Sequence, residues 1–414
     1  MKGCKGYRVA VVLMAMLSAV ISNANELPDG PAASAVVKPA PVESEAKSTM
    51  GVKGLSLETT LTLEYISNVS GGISRDSAFL GNIDIIGGLD TEAAGWWSGG
   101  TFSVYGLGNF NNGRVPTEII GDIQASSNIE APETFKLYEA WYNHSFMDNS
   151  LLVLVGLHDY NSEFDVMEYG GVFHNSSFGI APGISQAGPS IFPTAALGLR
   201  VAVKPTEGAY ILSGIYDGVA GDPCDDESSD IQFDSGDGVF YALETGLTRA
   251  EGSDAPYYKV ALGGWYHTKR CEDLAGQPVE NNGGGYVIVE RQIYQEQDKA
   301  QGLGIFGQVG SAPDDINVIA YSVIGGLNYT GLIPGRDEDV TALGFSQAIL
   351  SDDYLALEEN AGLNDSETAI ELVYQAGLTE WFTIKPDIQY IINPASAPGI
   401  DNALQIGVRA ELVF

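Results

Sequence analysis

The sequence predicts an all-β protein, a transmembrane antiparallel β-barrel of about sixteen strands around an aqueous lumen. Glycine and tyrosine are abundant, with 51 and 20 residues, which favours strands and tight turns over helices. Apolar and polar residues alternate with period two, most clearly from Leu404 to Phe414, where Arg409 and Glu411 lie on the polar face. Tryptophan and tyrosine recur near the ends of these runs. These observations predict strands with one face toward lipid and the other toward a lumen.

The composition excludes several other classes of protein. The chain has 414 residues, with 20 Lys and Arg against 54 Asp and Glu, and a formal net charge of -34. Hydrophobic residues make up 44% and aromatic residues 10%, which is not typical of a disordered chain. Because so acidic a protein repels phosphate, we expect no nucleic-acid partner.

The N-terminal residues indicate export. Basic residues flank the start of an apolar run from Val9 to Ile21, and small residues follow it. We therefore predict that residues 1–24 are a cleaved signal peptide. The run is shorter than the roughly 18 residues that span a bilayer, so it does not predict a helical anchor. Residues 25–50, rich in proline and alanine, are predicted to form a tether, and residues 51–414 the barrel domain.

The barrel domain divides into candidate strands separated by turn signals. Clusters such as Asn111-Asn112-Gly113 and Pro334-Gly335 are typical of turns. The candidate strands begin near residues 55, 79, 100, 133, 150, 195, 208, 239, 257, 285, 300, 318, 340, 368, 380 and 403. An even count brings the last strand beside the first, and barrels of about 16–18 strands leave an aqueous channel.

A soluble β-sandwich can use the same strands with its apolar faces packed in a core, but three details favour the membrane barrel, the first of which is export without a helical anchor. The chain ends on Phe414, an aromatic residue closing an alternating strand, which is where the barrel-assembly machinery of Gram-negative bacteria recognises its clients. Other aromatic residues fit the girdles at the two membrane interfaces: Tyr65, Trp96, Trp97, Trp141, Tyr142, Trp265, Tyr266 and Trp381. We therefore expect an exported protein in the lipid bilayer of the Gram-negative outer membrane.

Little in the sequence is typical of an enzyme. The four histidines show no metal-ligand spacing such as H-E-x-x-H, and no G-x-S-x-G motif occurs. Residues Gly302 to Gly307 match G-x-G-x-x-G, but no helix pattern follows, as a dinucleotide site requires. Paired carboxylates such as Glu163 and Asp165, which glycoside hydrolysis would need, are expected by accident among 54 acids. We predict neither an enzyme nor a cofactor.

Between about Leu55 and Phe414 the chain contains a series of short motifs in a fixed order. They are Gly121-Asp122-Ile123-Gln124, Ser127-Asn128-Ile129, KLYEAWY from Lys136 to Tyr142, Gly156, Asp159, Asn161, Glu163-Phe164, Phe173, Asn175 to Gly179, PSIFP from Pro189 to Pro193, Ala196-Leu197-Gly198, YDG at Tyr216, Gly221-Asp222-Pro223, GGWYHT from Gly263, the glycine and arginine of GLIPGRDED from Gly331, and KPDIQYIINP from Lys385. In this order they resemble the carbohydrate-selective porin family, the OprB-type porins of Gram-negative outer membranes.

The resemblance implies a 16-stranded barrel that passes sugars such as glucose down their gradient, without ATP or covalent chemistry. We expect a monomer or a homotrimer. The chain departs from the family in its acidity, so a cation-preferring general diffusion porin is the first alternative. An exported soluble carbohydrate-binding or hydrolytic β-protein is the second.

One acidic segment surrounds Cys224. Its residues Asp225, Asp226 and Glu227 form either a solvated surface loop or a weak candidate site for a divalent ion. Cys224 and Cys271 remain after signal cleavage, and either form one disulfide or stay reduced.

A sugar is neutral, rich in hydroxyls and has apolar C–H faces, so aromatic surfaces flanked by charged and amide groups ease its passage. The candidate residues on the lumen-facing strands are Arg200, Glu371, Lys385, Asp387, Gln389 and Arg409. The long segment between the fifth and sixth strands is expected to fold into the lumen, and its candidates are Asp159, Asn161, Glu163 and Asn175. Trp141, Tyr160 and Phe192 are candidates for stacking, or else belong to the girdle and loop packing.

Overall fold

The computed structural model describes residues 53–221, 231, 236–250 and 255–414. The predicted signal peptide, residues 1–24, and the tether, residues 25–50, lie outside these residues, so both stay predictions. The same holds for Cys224 and for the acidic residues Asp225, Asp226 and Glu227. No helix in the described ranges has the length and apolar character to cross a membrane.

The described residues form a closed antiparallel barrel of sixteen strands. Its strands are β1 Leu55–Ser70, β2 Ser77–Asp90, β3 Gly100–Asn111, β4 Thr134–Phe146, β5 Leu151–His158, β6 Ala196–Thr206, β7 Ala209–Asp217, β8 Val239–Arg249, β9 Tyr258–His267, β12 Asn282–Gln295, β13 Gly302–Ser311, β14 Ile319–Thr330, β15 Val340–Leu350, β16 Ser366–Thr379, β17 Phe382–Ile392 and β18 Ala403–Val413. A small separate hairpin pairs β10 Cys271–Glu272 with β11 Pro278–Val279. The predicted strand order and number are confirmed.

Short helical segments lie in the connections. They are α1 Pro116–Ile120, α2 Pro182–Ser185 and α3 Asp352–Leu355, with 3-10 turns at Tyr160–Ser162, Tyr169–Val172, Ser176–Phe178, Glu358–Asn360 and Pro394–Ser396. The barrel closes where β1 pairs with β18, for example Leu63 with Ala410. Short connections such as residues 207–208 gather at the end where β1 begins and β18 ends, and long ones such as residues 112–133 lie at the other. In outer-membrane barrels the short turns are periplasmic and the long loops extracellular.

The alternating pattern separates the two faces of the wall, as predicted. On β16, Leu372 is 45% exposed on the outside, whereas Glu371 is fully buried inside. Trp97 lies in the girdle, exposed at the short-turn end, where its indole donates a hydrogen bond of 2.8 Å to the Tyr142 hydroxyl. Trp265 was predicted for the girdle, but this is wrong, because its ring is buried and stacks on Phe240.

Residues 159–195, here called the lumen loop, fold into the barrel and pack against the inner side of its wall. Phe164, Phe173 and Phe178 of this loop are buried in one hydrophobic cluster with side chains of the wall. Wall glycines make room for these rings: a Cβ on Gly344 would lie 2.7 Å from a Phe178 ring carbon and 2.8 Å from one of Phe173. The loop therefore rests directly on the backbone of β15.

Candidate functional site

Inward-facing glutamates of the wall hold the backbone of the lumen loop. Glu371 on β16 accepts the N–H groups of His174 at 2.7 Å and Asn175 at 3.0 Å. Glu290 on β12 accepts those of Glu168 at 3.0 Å and Tyr169 at 2.8 Å. Hydrogen bonds between carboxylates and N–H groups are among the strong ones in proteins. These glutamates therefore fix the loop at two places along its length.

A second loop, residues 112–133, is held in the same way. Glu367 on β16 accepts the N–H of Ile123 at 2.9 Å and that of Gln124 at 3.1 Å. The Ser346 hydroxyl on β15 donates to the Gln124 side chain at 2.7 Å. Much of the acidity of the inner wall therefore serves to bind loop backbone.

One ion pair joins the lumen loop to the wall, and two others join neighbouring strands of the wall. Arg200 on β6 forms two contacts with Glu163 of the lumen loop, 2.5 Å from Nε to Oε2 and 2.6 Å from Nη2 to Oε1. Across the closure of the barrel, Arg409 on β18 pairs with Glu64 on β1 at 2.9 Å. Lys385 on β17 pairs with Glu411 on β18 at 2.8 Å.

A cavity of about 310 Å³ opens between strands β2–β6 and the lumen loop. Aromatic rings line one part of it, and charged groups face them. The aromatic residues are Tyr105, Tyr138, Trp141 and Phe192, and the charged ones are Glu139, Asp159, Glu163 and Arg200. This combination of rings and hydrogen-bonding groups is confined and partly polar, as small-molecule sites are.

Hydrogen bonds fix the cavity's side chains. The Tyr138 hydroxyl donates to Asp159 at 2.5 Å, and the Tyr105 hydroxyl donates to Asp84 at 2.7 Å. The rings of Tyr105 and Tyr138 meet edge to face, with centroids 5.0 Å apart. Glu139 accepts the backbone N–H of Asp159 at 2.7 Å and the Trp141 indole N–H at 3.3 Å. Burial raises the pKa of Asp159 to about 6, although hydrogen bonds from Tyr138 and from backbone amides oppose this shift.

The structure brings five of the sequence-predicted site residues together at this cavity: Trp141, Asp159, Glu163, Phe192 and Arg200. The others lie elsewhere in the barrel interior. Asn161 binds the backbone carbonyls of Phe164 and Gly179, and Tyr160 is fully buried and stacked on Phe164, so it offers no surface to the lumen. Asn175, Glu371, Asp387 and Gln389 lie buried between loop and wall, while Lys385 and Arg409 are occupied by ion pairs.

Several cavity residues were not among the predicted site residues, and three of them are Tyr105, Tyr138 and Glu139. The register of β4 against β3 shifts between Tyr105 and Gly106, which is a β-bulge. Consecutive residues Tyr138 and Glu139 are therefore both buried, and the inward phase changes from even to odd positions. Strict alternation does not reveal such a change, and it also assigns Trp141 to the wrong face. The KLYEAWY motif, which includes Tyr138 and Glu139, was the one feature of the sequence that pointed to this part of β4.

Comparison with known proteins gives a consistent result. Residues 74–414 match the family described as carbohydrate-selective porin, OprB family. Porin B of Pseudomonas aeruginosa is 23% identical over 405 residues, covering 87% of this chain and 88% of that protein. The high-pH structure of Pseudomonas putida OprB superimposes with a TM-score of 0.76 at 18% identity, over 87% of this chain and 94% of that one. The outer membrane channel DcaP of Acinetobacter baumannii gives 0.51 at 10% identity, over 88% and 99%. These structures share the barrel fold.

Proposed function

The chain belongs to the carbohydrate-selective porin family, OprB, and on this premise we propose that it lets glucose-like monosaccharides and small oligosaccharides diffuse passively across the outer membrane. Porins of this family and fold are channel proteins of the outer membrane rather than enzymes. The cavity between β2–β6 and the lumen loop is proposed as the place where a passing sugar is held briefly.

The observation that supports this proposal is the pairing of aromatic rings with charged groups in that cavity. The Trp141 and Tyr138 rings suit the apolar C–H faces of a pyranose. Asp159, Glu163 and Arg200 offer acceptors and donors that replace water around the hydroxyls. Its volume of about 310 Å³ is at the small end of ligand sites, which suits one sugar ring.

The cation-preferring alternative depends on free negative charge in the lumen. The acidic composition favours it, but Glu290, Glu367 and Glu371 already bind backbone N–H groups of the two inward loops. Those carboxylates are buried, so they present little charge to a passing ion. The burial of these carboxylates therefore favours neutral sugars over cations as the proposed substrate.

The test is the single-channel conductance of refolded protein in a planar bilayer, with glucose, maltose and sucrose added in turn. We expect a saturable block by sugar. Trp141→Ala is expected to weaken the block several-fold, because a lost aromatic contact costs about 0.5–1.5 kcal/mol. Trp381→Ala, on an exposed turn, is the matched control and is expected to leave the block unchanged. Channels with strong cation preference and no sugar block would support the general diffusion porin instead.

A further inference from the structure

A buried cluster of ionisable groups lies where the lumen loop meets β16 and β17. It consists of His174 from the loop, Glu371 from β16 and Asp387 from β17. One potential ligand atom from each lies within 4.8 Å of the others, and all three side chains are buried. The cluster is separate from the proposed sugar cavity, whose lining includes none of the three.

The charges in this cluster do not balance. Glu64 of β1 lies beside it, with Oε1 3.0 Å from His174 Nδ1, and Arg409 pairs with the other oxygen of Glu64 at 2.9 Å. With a neutral imidazole, three carboxylates face a single guanidinium. An uncompensated buried charge is costly, so a group that adds positive charge here would stabilise the protein.

His174 supplies a second, independent observation. Its Nδ1 atom is buried and makes no hydrogen bond in the described structure, and neither does the Asp387 oxygen that lies 3.3 Å from it. Buried polar atoms of this kind call for a proton, a water or an ion. Two ligands about 2.1 Å from one metal ion are roughly 3–3.5 Å apart, so the 3.3 Å separation needs little adjustment.

We propose that His174, Glu371 and Asp387 bind one divalent first-row transition-metal ion, with zinc as the best match. One imidazole nitrogen and two carboxylate oxygens form a ligand set that zinc accepts, whereas calcium and magnesium prefer oxygen ligands alone. Outer contacts hold the carboxylates in place, because Glu371 accepts two backbone N–H groups and Gln389 donates to Asp387 at 3.1 Å. The ion cross-links the lumen loop to the wall and so fixes the width of the channel.

Zinc competes here with a proton. Without metal, burial and Arg409 lower the pKa of His174, but Glu64 and Asp387 outweigh them and raise it to about 9. The rival state is therefore a protonated His174 that holds only ion pairs. Metal binding replaces that proton, and the experiment below distinguishes the two states.

The experiment measures Co²⁺ and Zn²⁺ binding to tag-free, refolded full-length barrel after chelator dialysis. Co²⁺ gives a visible absorption band when bound by nitrogen and oxygen ligands, and metal content is counted by mass spectrometry. We expect one equivalent of metal in the wild type. His174→Asn and Asp387→Asn are expected to lower the affinity at least tenfold, while His144→Asn on β4 is the matched control. Heat-modifiable migration on gels verifies that each variant has folded.

Three results would overturn the proposal. One is no stoichiometric metal in folded wild type, which leaves His174 as a protonated ion-pair partner. Another is equal binding in the wild type and both cluster variants. The third is loss of binding on Asp225→Asn with Asp226→Asn instead, which assigns the ion to the acidic sequence around Cys224. Sugar block is recorded separately on metal-free channels, so the two proposals fail independently.

Discussion

Glu163 and Arg200 form a bidentate ion pair in which both side chains are removed from water. Such a pair adds little net stability over a well-packed apolar pair, but breaking it leaves one charge buried without a partner. Arg200 therefore fixes the position of Glu163 at the edge of the cavity. The sequence indicated both residues, since Arg200 falls on the lumen face of β6, but their partnership depends on the path of the lumen loop and has no local signature.

Glu163→Gln is expected to destabilise the folded barrel by about 3–5 kcal/mol, because Arg200 remains buried and loses its counter-charge. Urea unfolding in lipid vesicles measures this change. The exposed Glu207→Gln is the control and is expected to stay within about 0.5 kcal/mol of the wild type. Adding Arg200→Met to Glu163→Gln should recover much of the loss. Equal stability of Glu163→Gln and the control would contradict the argument.

Glu130 gives a prediction about pH. Burial raises its pKa from an ordinary 4.5 to about 7, against a hydrogen bond from Thr117 and with help from nearby Asp122. Because the folded pKa is above the unfolded one, its contribution to stability is fully present below about pH 4.5 and is lost as the pH rises through about 7. Residues 112–133 should therefore resist proteolysis better at pH 5 than at pH 8.

Glu130→Gln tests this pH effect, since the amide keeps an oxygen for the Thr117 N–H but does not titrate. We expect the difference in proteolysis between pH 5 and pH 8 to shrink in this variant. The exposed Glu118→Gln should retain the full difference. An unchanged pH profile in Glu130→Gln would remove Glu130 as the cause.

Among the elements, the strands and the inward course of residues 159–195 were predictable, whereas the contacts between the loops and the wall were not. Period-two alternation, the turn signals and the family resemblance together placed each barrel strand within a few residues. Lipid on one face and a polar interior on the other leave little choice of phase where the alternation is regular. The bulge in β4 interrupts the alternation locally, and for that reason Tyr138 and Glu139 were not predicted to face the cavity. The contacts of the lumen loop join residues such as His174 and Glu371, 197 positions apart, so no local pattern predicts them.

Gly344→Ala is expected to loosen the lumen loop. The new Cβ would meet the Phe173 and Phe178 rings at under 3 Å, so the loop must shift, at a cost of about 1–3 kcal/mol. Proteolysis within residues 159–195 should become faster, and the single-channel conductance should rise. Gly377→Ala on β16 is the matched control, because nothing lies within 4 Å of its added Cβ. Similar behaviour of the two variants would show that the loop does not depend on this contact.

Over the whole barrel, the outer face of the wall meets lipid and the inner face meets the polar interior. The stability lost when a charged residue is placed on the outer face depends on its depth in the bilayer. Leu372 and Leu378 are both exposed side chains of β16, one near the middle of the strand and one near its end. An arginine near the bilayer midplane of such a barrel costs about 2–4 kcal/mol, and one near the interface about 0–1.

Leu372→Arg is therefore expected to lose more stability than Leu378→Arg by about 2–3 kcal/mol. The second variant is the control for the first, since the strand, the substitution and the exposure of the original side chain are alike. Unfolding of both in vesicles of one lipid composition gives the comparison. Equal losses would mean that this face of β16 does not meet the bilayer as proposed.

The long chain separations between loops and their anchors also set an order of events in time. Glu290, Glu371 and Glu367 follow the loop residues that they bind by 121, 197 and 244 positions. These contacts cannot form until the late strands have joined the sheet, and contacts of such separation form slowly. We therefore expect the contacts of the two loops with β12 and β16 to form only after these late strands have been added to the barrel.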